Sequence, residues 1–89
     1  MSTNDPELLK FPCEFPIKVM GRDDAAFESA VMDIFDRHLE DVKAASIKTR
    51  PSSTGKFLSI TVTFTAESKA QLDALYTELS GHELVLFCL

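Results

Sequence analysis

An α+β domain of four strands and two helices, in the order β-α-β-β-α-β, is what the sequence predicts, and three observations carry that prediction. Residues 14–20 and, more completely, residues 58–65 alternate apolar with polar side chains, the period of a strand with one buried face. Residues around 24–39 and 66–80 instead repeat their apolar side chains at helical spacing. The glycines Gly21, Gly55 and Gly81 all fall at joints between these segments, where a positive φ is most often needed.

In the first strand Phe15, Ile17 and Val19 point one way, and Glu14, Pro16, Lys18 and Met20 the other. Pro16 suits the beginning of a strand, and Gly21 is expected to end it. Asp23 or Asp24 caps the helix that follows, with acids favoured in the first turn by the helix dipole. Phe27, Ala30, Val31, Ile34 and His38 make its inner face; Glu28, Asp33, Asp36 and Glu40 make its outer one. Residues 42–50 read as a polar strand. In the next strand Leu58, Ile60, Val62 and Phe64 form an apolar face, and Ser59, Thr61, Thr63 and Thr65 a face made only of hydroxyls. The second helix presents Leu72, Leu75, Tyr76 and Leu79, with Thr65 as candidate N-cap and Gly81 just past its C-terminus. A last strand is apolar on both faces, Leu84, Leu86 and Cys88 against Val85, Phe87 and Leu89. An edge strand so built needs a cover, supplied by Leu8, Leu9 and Phe11 or by a second copy of the chain in a homodimer.

Two helices on one face of an antiparallel four-stranded sheet make a ferredoxin-like sandwich. Right-handed crossovers put its first and third strands in the centre and leave the second and fourth at the edges. Residues 1–10 are expected to form a flexible arm, and residues 11–89 a single domain.

Composition narrows the function. The net charge of −5 disfavours nucleic acid and anionic membranes as partners. No apolar run approaches the ~20 residues of a membrane span, and the N-terminus lacks a signal-peptide pattern, so a cytoplasmic location is expected. Cys13 and Cys88 read as free thiols, and with His38 and His82 they show none of the paired spacings of a zinc site. No nucleophile elbow is present, so the sequence implies no catalytic residue, metal or cofactor. An RNA-recognition module would need aromatic side chains where the third strand carries Ser59, Thr61 and Thr63.

Residues 50–56, RPSSTGK, resemble a phosphate-binding loop at first sight. Arg50 occupies the first glycine position, Phe57 stands where Ser or Thr would bind the metal, and a strand follows instead of a helix. The stretch is therefore a hairpin turn, with Pro51 at its start and Gly55 supplying the unusual dihedral. Charge is segregated around it. Residues 43–56 carry Lys43, Lys48, Arg50 and Lys56 with no acid, whereas residues 22–41 sum to −5. Lys48, Arg50, Ser52, Ser53 and Lys56 are accordingly candidates for docking an anionic group of a protein partner. The alternative is a metabolite site at Gly21, Asp23 and Asp24, where acids at a helix start would hold an ammonium group.

Three blocks, FPCEFPIKVMG at 11–21, RPSSTGKFLSITVTF at 50–64 and LYTELS at 75–80, resemble the YbeD-like family of small bacterial proteins. The resemblance implies a ferredoxin-like fold similar to the ACT regulatory domains, no known catalytic residues, and a connection with lipoate metabolism. Phe57 stands where that family often has Tyr. Together these readings give two expectations: a non-enzymatic regulatory or protein-interaction module, or an ACT-like sensor of a small metabolite.

Overall fold

The computed structural model describes residues 9–89. Its elements run β1 (Cys13–Arg22), α1 (Ala25–His38), β2 (Ser46–Pro51), β3 (Phe57–Ala66), α2 (Lys69–Gly81) and β4 (Val85–Cys88). The four strands form one sheet in the order β2-β3-β1-β4, all neighbours antiparallel, which is the ferredoxin-like arrangement.

Alternation decides what lies inside. Phe15, Ile17 and Val19 of β1 and Ile60, Val62 and Phe64 of β3 are buried on one face. Phe27, Val31, Ile34 and Phe35 of α1, with Leu72, Leu75 and Leu79 of α2, close over them. Phe64 meets Phe15 and Phe35 edge to face, with ring centroids 6.4 and 5.9 Å away. That geometry is favoured by the ring quadrupole. Phe35 is fully buried although it lies outside the inner-face series read from the sequence. The apolar stripe of α1 is one residue wider than that series.

Several boundaries move, each for a local reason. Gly21 does not end β1: the strand continues to Arg22, and Gly21 pairs with Leu58 and Val85. Residues 42–44 form a 3-10 turn, held by Ala44 and Ala45 N–H bonds to the carbonyls of Asp41 and Val42, so β2 begins only at Ser46. Thr65 stays in β3, and Ser68 caps α2 by accepting the Gln71 N–H at 3.1 Å. Gln71 reaches back to accept the Glu67 N–H at 2.8 Å, a variant of the reciprocal capping box. Gly81 is the last residue of α2, not the one beyond it, and Gly55, at φ 74°, is the positive-φ glycine among the described residues.

Both prolines in strands sit where no ladder bond is lost. Lys18 exchanges backbone bonds with Leu89, so the alternate residue Pro16 faces the same flank, past the end of the β4 pairing. Ser52 N–H bonds toward β3, so the nitrogen of Pro51 points out from the β2 edge. The helix layer leaves β2 bare. Ile47 pairs with core Val62, yet it is 44% exposed.

The β4 pairing holds a bulge. One step of β1, Met20 to Gly21, spans two of β4, Phe87 to Val85, which leaves Leu86 over. The strict alternation expected for the last strand is thereby broken. Val85 and Cys88 face the helices, while Leu86, Phe87 and Leu89 are 55%, 47% and 68% exposed. Leu9 and Phe11 pack against the core, but they do not bury these side chains. Leu8, the other proposed cover, and most of the arm read at 1–10 lie outside the described residues.

Candidate functional site

Strand register sets the surface chemistry. Side chains opposite the core face form an open sheet surface with no helix over it: Ser46, Lys48 and Arg50 from β2, Ser59, Thr61 and Thr63 from β3, and Pro16, Lys18, Met20 and Arg22 from β1. Across one row Lys48, Thr61 and Lys18 are neighbours; across the next, Arg50, Ser59 and Met20. Lys48 and Arg50 therefore stand on the open face instead of at the hairpin tip. Ser59 is buried beneath this layer and donates to the Arg50 carbonyl at 3.3 Å. A shallow depression of about 380 Å³ on this face is lined by Glu14, Ser46, Lys48, Thr61, Thr63 and Thr65.

At the tip, the hydroxyls are largely committed to the turn. Gly55 N–H bonds to the Ser52 carbonyl at 3.0 Å, closing the turn ahead of its own positive φ. Ser52 Oγ accepts the Phe57 N–H at 3.1 Å and shares a 3.2 Å bond with Thr54 Oγ1. Ser52 is thus a structural residue. The Ser53 hydroxyl has no partner among the described residues. Lys56 is exposed, and its carbonyl accepts the Asp23 N–H at 2.9 Å. That bond brings the β1–α1 turn against the hairpin, so the two candidate sites adjoin at one end of the molecule.

Two of the three metabolite-site candidates carry structural work. Asp24 caps α1, its carboxylate accepting the Ala26 N–H at 2.7 Å. A Cβ on Gly21 would lie 2.5 Å from the Phe27 ring and 2.7 Å from the Leu84 carbonyl oxygen, so packing demands a glycine there. Asp23 remains exposed, and its carboxylate has no partner among the described residues.

Electrostatics divide the molecule. On the helices Arg37 donates to both oxygens of Glu78, one through Nη1 at 3.0 Å, and also pairs with Asp33 at 3.3 Å. His38 Nε2 lies 2.7 Å from Glu78 Oε1. The hydrogen bonds from Arg37 and then His38 hold the Glu78 carboxyl well down, at about 2. By contrast Lys18, Arg22, Lys48, Arg50 and Lys56 have no ion-pair partner among the described residues. Lys18 and Arg22 were not singled out from the sequence. Their alternation with Ile17 and Val19 was readable, but their place beside Lys48 and Arg50 depends on pairing between distant segments. Among the described residues no three His, Cys, Asp or Glu side chains gather as a metal site, and no helix is long and apolar enough to cross a membrane.

Comparison with known proteins agrees with this architecture. A family model described as "Protein of unknown function (DUF493)" matches residues 6–89. A UPF0250 protein of Neisseria gonorrhoeae is 46% identical over 82 residues, covering 92% of this chain and 90% of the relative. Another, from Paraburkholderia phytofirmans, is 40% identical over 85 residues and 96% of each chain. Among solved structures, protein HP0495 from H. pylori superposes with a TM-score of 0.63 at 15% identity, over 98% of this chain and 90% of that one. The ACT domain from GTP pyrophosphokinase of Chlorobium tepidum gives 0.65 at 10% identity, over 88% and 96%, a likeness of fold alone. The resemblance seen in FPCEFPIKVMG and RPSSTGKFLSITVTF thus extends over nearly the whole chain, which belongs to the DUF493 family, with UPF0250 proteins of bacteria as its relatives.

Proposed function

We propose that this chain is a non-enzymatic regulatory module of the cytoplasm that works by docking a protein partner at the β2–β3 hairpin. One observation carries the reading: Lys48, Arg50 and Lys56 are exposed and lack ion-pair partners among the described residues, whereas Arg37 is fully engaged on the helices. Lys56 at the tip with the Ser53 hydroxyl, and Lys48 and Arg50 on the adjoining sheet face, suit a carboxylate, because charge-assisted hydrogen bonds are the stronger kind. Changing Lys48, Arg50 and Lys56 together to Glu is expected to abolish binding of a partner recovered by affinity capture, and salt should weaken the wild-type complex. A folded triple variant that binds as well as wild type would refute the reading. The bare β4 edge is assigned in the same reading to a second copy of the chain. Light scattering over a concentration series should show a dimer that Phe87→Lys disperses.

A second reading, an ACT-like metabolite sensor, is favoured by the junction of Asp23 with Lys56. A carboxylate and an ammonium at adjoining turns suit a small zwitterion such as an amino acid. Thermal-shift screening with amino acids and lipoate-related compounds tests it: stabilisation by one compound, lost in Asp23→Asn, supports the sensor.

A further inference from the structure

We propose that the open sheet face binds an acidic, extended polypeptide segment of another protein. This deepens the docking reading, on which it rests, by naming the surface and the chemistry of the partner. All charged side chains of the four strands lie on this one face: Lys18, Arg22, Lys48 and Arg50 against the single carboxylate of Glu14. The strands therefore sum to +3 in a chain of −5, leaving −8 for everything else. The two helices sum to −3, so the sheet and the helix layer carry opposite charge. The thinnest dimension of the molecule is 23 Å. Salt screens over about 8 Å at physiological strength, so an anion near the open face meets the local cations and not the acidic helices behind them.

Spacing selects an extended segment. Lys48 and Arg50 are two residues apart on one strand, so they repeat at about 6.8 Å, the spacing of alternate side chains in another strand. Lys18 stands two strands across from Lys48, about 10 Å away, with Thr61 between them. Acids on alternate positions of an extended chain would meet Lys48 and Arg50 on one side and Lys18 on the other, above the Ser59–Thr61–Thr63 hydroxyls. Met20 lies on the same face, which gives an apolar side chain of the segment a place to rest. Nucleic acid fits less well. The centre of the face is hydroxyl-bearing, and its aromatic rings, Phe57 and Phe87, stand at its margins instead of at the centre, where bases would stack.

The test uses the full chain, isotopically labelled for amide NMR at low salt, with a short synthetic peptide alternating Glu and Val as probe. Shifts are expected at Lys18, Lys48, Arg50 and Thr61, and the peptide in which Gln replaces Glu should give none. Lys18→Gln with Lys48→Gln should weaken binding by about tenfold or more, as loss of complementary charges does. The amide spectrum of each variant checks its fold; should the double variant misfold, the wild-type shift map decides alone. Absence of shifts on the open face overturns the proposal, as does equal binding of the Gln peptide. So do stronger shifts there with poly-uridine or anionic vesicles at matched charge. If these fail while a captured partner still depends on Lys56, the hairpin reading stands and only the sheet-face proposal falls.

Discussion

Glycine 21 separates packing from function at a single residue. Its absent side chain is explained by the Phe27 ring and the Leu84 carbonyl, so Gly21→Ala should lower stability by about 1–3 kcal/mol through overpacking, with no ligand present. Gly55→Ala tests a different cause. Nothing crowds it, but its φ of 74° should cost a side chain about 1–2 kcal/mol. Phe64, 5% exposed and wedged against Phe15 and Phe35, should lose about 3–5 kcal/mol on change to Ala. Denaturant unfolding measures all three, and a loss below about 1 kcal/mol for Phe64 would remove it from the core.

Between elements, the contact of α1 with α2 through Arg37, His38 and Glu78 is expected to make the fold sensitive to acid. The Glu78 carboxyl titrates at about 2 in the folded chain against an ordinary 4.5. A depressed carboxylate stabilises the fold fully above its unfolded value and loses that effect as pH falls toward the folded one. The contribution should therefore be complete above about pH 4.5 and fade down to about pH 2. Glu78→Gln should flatten this part of a stability–pH curve. An unchanged acid limb would show that the exposed cluster contributes nothing measurable, as many surface pairs do.

At the scale of the whole molecule, Leu9 and Phe11 pack against the core from the N-terminal side of β1. Removing residues 1–11 should cost about 2 kcal/mol, near the value of one fully buried apolar side chain. Unchanged denaturation midpoints would show that the two side chains only rest on the surface. The same scale holds the charge layering, since +3 on the strands and −3 on the helices cannot be seen in any one element.

What the sequence determined by itself was the inner face of β1, β3 and α2 and most of that of α1. The run from Leu58 to Phe64 and the triad Leu72, Leu75 and Leu79 announce their burial through local periods, and those periods survive folding. Ser68 with Gln71 was readable too, as a capping pair three residues apart, and would have corrected Thr65. Tertiary structure alone decided the rest. The bulge at Leu86, the crowding around Gly21 and the bond from Asp23 to Lys56 join segments far apart in the chain. The grouping of Lys18 with Lys48 and Arg50 depends on register between three strands, and a slip of one residue would turn those side chains into the core. Local periodicity says which way a side chain points, but only pairing says which others point beside it.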